Sequence, residues 1–326
     1  MVKKGKQPLR PLVSICTPTF NRRPFLPFII KCFENQDYPM DRLEWIIIDD
    51  GTDSIEDLVA DVPQIKYFGY KKKMSLGEKR NLMHEKATGS ILVYMDDDDY
   101  YPPNRVSHAV ETLEKNPHAL CAGSSEMYIY FGDRQQMMQF GPYGPHHATA
   151  ATFAFPRALL SQTQYDDNAC LAEERQFLKG YTLPFVQLDS RKTILVFSHN
   201  HNSFDKRTLL DNPHDPNIRV CTTLQVRDFI PDSQSNIRDF FLHQLDQKLA
   251  NYPPGHPRCK PDVIHQIQTI HTNRLQQIIQ KQEGRIEQLQ LENQTLSNKN
   301  MYLEKKINEM IQMRIAEKKL MKVTQT

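Results

Sequence analysis

The sequence holds a single tryptophan, no CxxC pair among its six cysteines, and no glycine-rich loop after its first apolar run. Cys16, Cys32, Cys121, Cys170, Cys221 and Cys259 are scattered, a spacing that reads as reduced thiols in a cytosolic compartment rather than a disulfide framework. Neither sign of charge is in excess: 41 basic against 39 acidic side chains give +2, which offers no electrostatic reason to expect a nucleic-acid partner. No apolar run approaches the ~18 residues needed to span a bilayer. The basic start (MVKKGKQPLRPLVSIC) is not followed by an apolar h-region, so the expectation is a soluble or at most peripheral, cytoplasmic chain. Pro18-Thr19-Phe20-Asn21-Arg22 stands where a phosphate loop would, which counts against dinucleotide-binding dehydrogenases.

What is present is 326 residues with 39 % hydrophobic side chains, enough for a sizeable core. A mean hydropathy of −0.60 indicates that one segment is far more polar than the rest. Apolar runs at 12–17, 44–49, 65–68 and 90–95 read as buried strands, and 24–34, 54–60, 75–87 and 103–115 as the helices between them. Ser54 is expected to cap the second helix, and Ser75-Leu76-Gly77-Glu78 has capping-box spacing. The alternation predicts an α/β fold with a mainly parallel sheet and helices on both faces. Further on, 119–131 and 193–198 read as strands, 171–179 as a helix and 236–249 as an amphipathic helix.

Residues 251–261 (NYPPGHPRCKP) carry four prolines and one glycine, which rules out regular helix or inner strand and suggests a linker. The expected organisation is therefore a domain over 1–221, a helical extension over 222–250, a linker over 251–261 and a coiled coil over 262–326. In that last part Leu275, Gln282, Leu289, Leu296, Leu303 and Met310 fall at d, and Ile279, Ile286, Asn293, Asn300 and Ile307 at a. Such heptads would run ~54 Å as a helix. Asn at two a positions favours a parallel two-stranded register, with Lys299 (g) and Glu304 (e) attracting across it, so a parallel homodimer is expected.

In open α/β sheets ligands bind beyond the carboxyl ends of the strands. Three polar clusters fall there: Pro18-Thr19-Phe20-Asn21, Asp49-Asp50-Gly51 and Asp96-Asp97-Asp98-Asp99. Four adjacent carboxylates after a buried strand call for a counter-charge, which a hard cation such as Mg²⁺ or Mn²⁺ supplies together with substrate phosphate oxygens. In an extended DxD segment Asp96 and Asp98 would face one side, leaving Asp97 free to reach a ribose hydroxyl. A carboxylate of the Asp49-Asp50 pair suits the imino N–H of a pyrimidine, and Arg80 suits a diphosphate.

Together these residues resemble the family 2 glycosyltransferases of GT-A fold. The resemblance rests on residues 13–22 as a first-strand signature, Ile47-Ile48-Asp49-Asp50-Gly51 as a second, Gly77 with Arg80-Asn81, and Gly89 ahead of residues 91–98 and Arg105. It is strong over about 12–115 and looser over 116–205. It implies inverting transfer from a nucleotide-sugar, often UDP-linked, to a glycan, protein or lipid acceptor, with Mn²⁺ or Mg²⁺. On that basis Pro18 and Phe20 would line the base pocket, Asp50 bind uracil, Arg80 support the nucleotide, Asp97 sit near the ribose and Asp98 be the main metal ligand, with Asp96 beside it. Glu174, or its neighbour Glu173, would be the catalytic base, and His199 or His201 would complete the metal site. The alternatives are a nucleotidyltransferase, or a coiled-coil scaffold carrying a degenerate sugar-binding domain.

Overall fold

Strands of this chain that are apolar at every position must be covered on both faces, and the computed structural model, which describes residues 10–212 and 214–323, shows how. In chain order come β1 (Val13–Thr19), α1 (Leu26–Glu34), β2 (Leu43–Asp49), α2 (Glu56–Val59), β3 (Ile65–Gly69), α3 (Leu76–Lys86), β4 (Ile91–Tyr94) and α4 (Arg105–Lys115). β1 pairs in parallel with β2 and β4, and β2 with β3. Alternate side chains then feed two cores. Val13, Ile15, Trp45, Ile47 and Val93 pack with Phe25, Ile29 and Phe33 of the α1 region and Val106 and Val110 of α4. Cys16, Ile46, Ile48, Leu92 and Tyr94 pack with Met83 of α3 on the other face. Helices therefore lie on both sides of the sheet.

Later come β5 (Cys121–Gly123), β6 (Met127–Phe131), β7 (Gln136–Phe140), β8 (Ala154–Pro156), α5 (Glu174–Phe177), β9 (Phe185–Gln187), β10 (Leu195–Ser198), β11 (Ile218–Val220), α6 (Val226–Phe229), α7 (Ser235–Asp239), α8 (Leu245–Ala250) and α9 (Pro261–Val323). The main sheet runs β3-β2-β1-β4-β8-β5-β9, with β8 antiparallel to both neighbours; a second sheet runs β10-β6-β7-β11. This is a GT-A type α/β fold.

Several elements differ from the sequence expectation, each for a local reason. The strand expected over 119–131 divides at Ser124, whose N–H donates to Thr152 Oγ1 (2.9 Å) while its hydroxyl bonds Glu126 O, so the chain leaves one sheet for the other. The helix expected from Ser54 starts at Glu56; the Ser54 hydroxyl accepts the Glu56 N–H at 3.3 Å, as a cap would, while also pairing with the Tyr67 hydroxyl. Ser75 does cap α3, accepting from the Glu78 N–H at 3.0 Å. The helix expected over 171–179 shrinks to one turn, with Ala172, Lys179 and Gly180 all at positive φ. The 236–249 helix is interrupted by a π turn at Phe240–Gln244, which lets Phe240 stack on Phe28 (3.8 Å) and Phe241 on Phe197 (4.2 Å).

The chain divides into two compact units between Gln266 and Ile267. In the second, the helix exposes Leu275, Ile279, Ile286, Leu289, Leu296, Leu303, Ile307 and Met310. The six cysteines are unpaired. Among the described residues, no helix is long and apolar enough to cross a membrane.

Candidate active site

β4 is buried along its length, and immediately beyond it residues 96–99 open a cavity of about 300 Å³ that all four aspartates line. Past Asp96 the backbone bends rather than continuing as a strand, so the expected alternation of side chains does not apply. Asp97 and Asp98 instead share one partner: Arg22 Nε lies 3.5 Å from Asp97 and Nη2 3.3 Å from Asp98. Asp96 lies 3.8 Å from Arg80, and its buried Oδ1 has no hydrogen-bond partner. Asp99 points inward and accepts the Phe197 N–H at 3.0 Å, tying the cluster to β10.

The four carboxyls differ in charge state. Burial raises Asp96, and raises Asp97 to about 6 against the pull of Arg22. Burial and the Asp98 charge push Asp99 well up. Burial also works against ionised Asp98, but the His199 hydrogen bond and Arg22 outweigh it and hold that carboxyl well below the usual range. Asp98 is thus the most readily ionised member of the cluster.

The opposite wall is built from β1 and α3. Pro18 and Phe20 line it, and three ammoniums surround the Phe20 ring: Lys73, Lys79 and Lys260, at 5.2, 5.9 and 5.7 Å from its centroid. Asp50 stands behind this wall. Its side chain is fully enclosed, one oxygen taking Lys79 Nζ (2.8 Å) and the other the Met74 N–H (2.6 Å). α3 enters the site because Gly77 has no Cβ; one there would stand 1.9 Å from Asp166 O.

Arg80 also lines the cavity, but its Nε binds Glu173 at 2.7 Å, with the guanidinium 4.7 Å from the centre of the Tyr94 ring. Glu173 is buried in that ion pair, whereas Glu174 is partly open. Burial, and then the Glu173 charge, raise Glu174 to about 7. Neither glutamate lines the 300 Å³ cavity, although Cys170 and Leu171 just before them do. The two histidines are separated by function: His199 Nε2 is 3.4 Å from Asp98, while His201 offers its backbone oxygen to Arg22 (2.8 Å) and leaves a buried Nδ1 without a partner. Burial lowers both rings to about 4, so both are neutral imidazoles near pH 7.

Several residues of the site are named by sequence reasoning only as members of a motif, with no role of their own. Arg22 is one; Asn21 is another, held at φ +52°, a left-handed conformation that asparagine tolerates better than most residues. Its amide donates to Pro254 O (2.9 Å) while its Oδ1 accepts the Asp53 N–H (3.0 Å). The proline-rich stretch expected as a linker makes two tight turns, Pro253–Gly255 and Pro257–Cys259, against the site. Gly255 gives its carbonyl to Arg22 (3.2 Å), and a Cβ on it would meet Asn21 O and His201 Nδ1, both at 2.7 Å. Lys260 and Asp262 line the cavity. The density of prolines and the lone glycine was the available signal that this segment is fitted to a surface.

Beyond the strand ends of a mainly parallel sheet the site thus brings together an acidic cluster, an aromatic wall and paired cations. The sequence model of glycosyl transferase family 2 matches residues 14–178, and the chain belongs to that family of glycosyltransferase enzymes. It is 36 % identical over 111 residues to a GalNAc(5)-diNAcBac-PP-undecaprenol beta-1,3-glucosyltransferase of Campylobacter jejuni, covering 32 % of this chain and 33 % of that protein. It is 36 % identical over 102 residues to the putative colanic acid biosynthesis glycosyl transferase WcaA of Escherichia coli, covering 30 % and 36 %. The chain thus spans about a third of the length of these two relatives. Among solved structures, a mannosyltransferase of Pyrobaculum calidifontis in complex with GDP-Man and Mn²⁺ gives a TM-score of 0.46 at 18 % identity, over 58 % of this chain and 57 % of that one, a likeness too slight to argue from.

Proposed function

We propose that this chain moves a sugar from a nucleotide-sugar, of the UDP-linked kind, to an acceptor hydroxyl with inversion, aided by Mn²⁺ or Mg²⁺. The observation that carries the proposal is the convergence of residues 96–99, Arg80 and Phe20 on one cavity. A diphosphate is the ligand class that answers both its carboxylates, through a shared cation, and its lysines.

The residues present fit a divalent cation of that kind. Among the described residues no three His, Cys, Asp or Glu side chains form a metal-ligand group. Mg²⁺-type sites usually take only one or two protein carboxylates and fill the rest of their shell with phosphate oxygens and water. Asp96 Oδ1 is buried without a hydrogen-bond partner, with Arg80 3.8 Å away, and Asp98 is the most readily ionised of the cluster. These two would hold the cation, with His199 beside Asp98 as the nearer of the two histidines. When bound, it supplies Lewis-acid charge to the departing diphosphate.

The chain's own residues account for the remaining roles. Phe20 and Pro18 form the wall for the base, and Asp50 supports that wall from behind by fixing Lys79 and the Met74 amide, a different role from direct contact with uracil. Asp97, paired with Arg22, would receive a ribose hydroxyl. Arg80, clamped by Glu173, keeps one η nitrogen unpartnered for the phosphate side. Glu174, raised to about 7, suits removal of the acceptor hydroxyl proton during attack. In the second unit, the exposed heptad positions support a parallel dimer.

The test is a panel of nucleotide-sugars incubated with the full chain, with and without Mn²⁺. Metal-dependent release of a nucleoside diphosphate is expected; release of pyrophosphate, or no turnover of any donor, would defeat the proposal.

A further inference from the structure

Among the described residues, six cations line the cavity: Arg22, Lys73, Lys79, Arg80, Lys206 and Lys260. Four are neutralised by carboxylates within 4 Å: Arg22 by Asp97 and Asp98, Lys73 by Asp262 (2.5 Å), Lys79 by Asp50, and Arg80 by Glu173. Of the other two, Lys206 is only partly buried, whereas Lys260 is 8 % exposed. The Lys260 Nζ donates to a neutral oxygen, Ser203 Oγ, at 2.7 Å, and lies 5.7 Å from the centre of the Phe20 ring. A buried ammonium without a paired anion is costly to the folded state, and such a cost persists where a ligand repays it.

The position of Lys260 is held from both sides. Ahead of it, the turns at Pro253–Gly255 and Pro257–Cys259 are pinned by Asn21 and Arg22. Behind it, Asp262 binds Lys73 and the Gln266 side chain accepts the Cys170 N–H at 2.8 Å. Asp262 also keeps a buried Oδ1 unpartnered. The segment itself lies beyond residue 178, where the family match ends, although the residues that pin it, Asn21, Arg22, Lys73 and Cys170, lie within the match.

We infer that residues 252–263 form a wall of the donor pocket, and that Lys260 binds the nucleotide diphosphate through its ammonium. This rests on the donor-site reading above. It differs from a structural role because the free protein should do without the charge. Burial, with Arg22 and Lys79 nearby, already pushes the Lys260 ammonium well below the ordinary lysine range, and an incoming diphosphate is the anion that would restore it.

The experiment is calorimetric titration of the full chain with UDP, GDP and CDP in the presence of Mn²⁺, and with uridine as the phosphate-free control, for wild type, Lys260→Gln and Lys260→Met. The expected result is a 10-fold or greater loss of affinity for the diphosphate that wild type binds best, no more than a 2-fold change for uridine, and a melting temperature of the free variants equal to or above that of wild type. Unchanged diphosphate binding in both variants would overturn the inference while leaving the donor site standing. Equal losses for UDP and uridine, or a fall in melting temperature of both free variants, would assign Lys260 to packing and overturn it too. Failure of wild type to bind any of the three diphosphates would remove this inference and the functional reading together.

Discussion

Arg80 and Glu173 meet at 2.7 Å inside the protein, the guanidinium of α3 against the residue just before α5, with Tyr94 and Tyr165 rings flanking the arginine. The pair joins the acidic cluster on one side to the Glu173-Glu174 step on the other, because the same guanidinium lies 3.8 Å from Asp96. It also divides labour between two adjacent glutamates. Glu173 is consumed as a counter-ion, and Glu174 is left partly open with its charge disfavoured.

That division predicts a pH profile. A base must be deprotonated to act, so kcat/KM should rise with pH through about 7 in wild type. Glu174→Gln should lose most transfer, on the order of 10²-fold or more, together with this limb. A profile flat from pH 5.5 to 8.5 in wild type would count against Glu174.

The same shift has a stability consequence. The folded-state pKa of Glu174 is raised, so the folded protein binds more protons than the unfolded one between about 4.5 and 7, and stability falls as pH rises across that window. Glu174→Gln should therefore stabilise the protein above pH 7, by on the order of 2 kcal/mol, and change little below pH 4.5. Glu173→Gln should do the reverse at neutral pH, since it leaves Arg80 buried without its counter-ion. Thermal melts at pH 4 and pH 8 on the two variants distinguish these outcomes.

Asp98→Asn keeps volume but removes the most readily ionised member of the cluster. Transfer should drop by about 10²–10³-fold or more, with the melting temperature within a few degrees of wild type, since repulsion with Asp97 is relieved as Arg22 loses one partner. Turnover near the wild-type rate, followed by nucleoside diphosphate release, would refute the assignment.

Arg105 is fully buried, and its Nη2 donates to the carbonyls of Tyr94, Thr152 and Phe153 at 3.1, 2.9 and 2.9 Å. It holds the end of β4 to the segment leading into β8. Arg105→Met should cost roughly 3 kcal/mol, or about 6–12 °C in melting temperature, as several carbonyls lose a charged donor. A change below 2 °C would show that the fold does not depend on this knot.

Removing residues 267–326 leaves the contacts of Asp262 and Gln266 intact. Light scattering should then show a monomer where the full chain is a dimer, with nucleotide binding retained. A monomeric full chain would dispose of the coiled-coil reading.

The sequence by itself determined the alternation of buried strands and helices and the arrival of polar clusters at three strand ends. Continuous apolar runs such as residues 44–49 and 90–95 have few other places to go, and the acidic run after the second of them is unambiguous in one dimension. It determined too little about partners. Nothing local says that Arg22 spans Asp97 and Asp98, that Arg80 turns to Glu173 rather than outward, or that Asp50 is sealed by Lys79, since each pair is separated by between 29 and 93 positions. The short strands β7, β8, β9 and β11 were equally hidden, because three to five residues carry no periodicity of their own and gain it only by pairing. Only the tertiary structure decided that a proline-rich segment more than two hundred residues after Asn21 and Arg22 would fold back to them and bring Lys260 into the cavity: long-range fit is a property of surfaces, and the linear pattern encodes surfaces only after the chain has closed on itself.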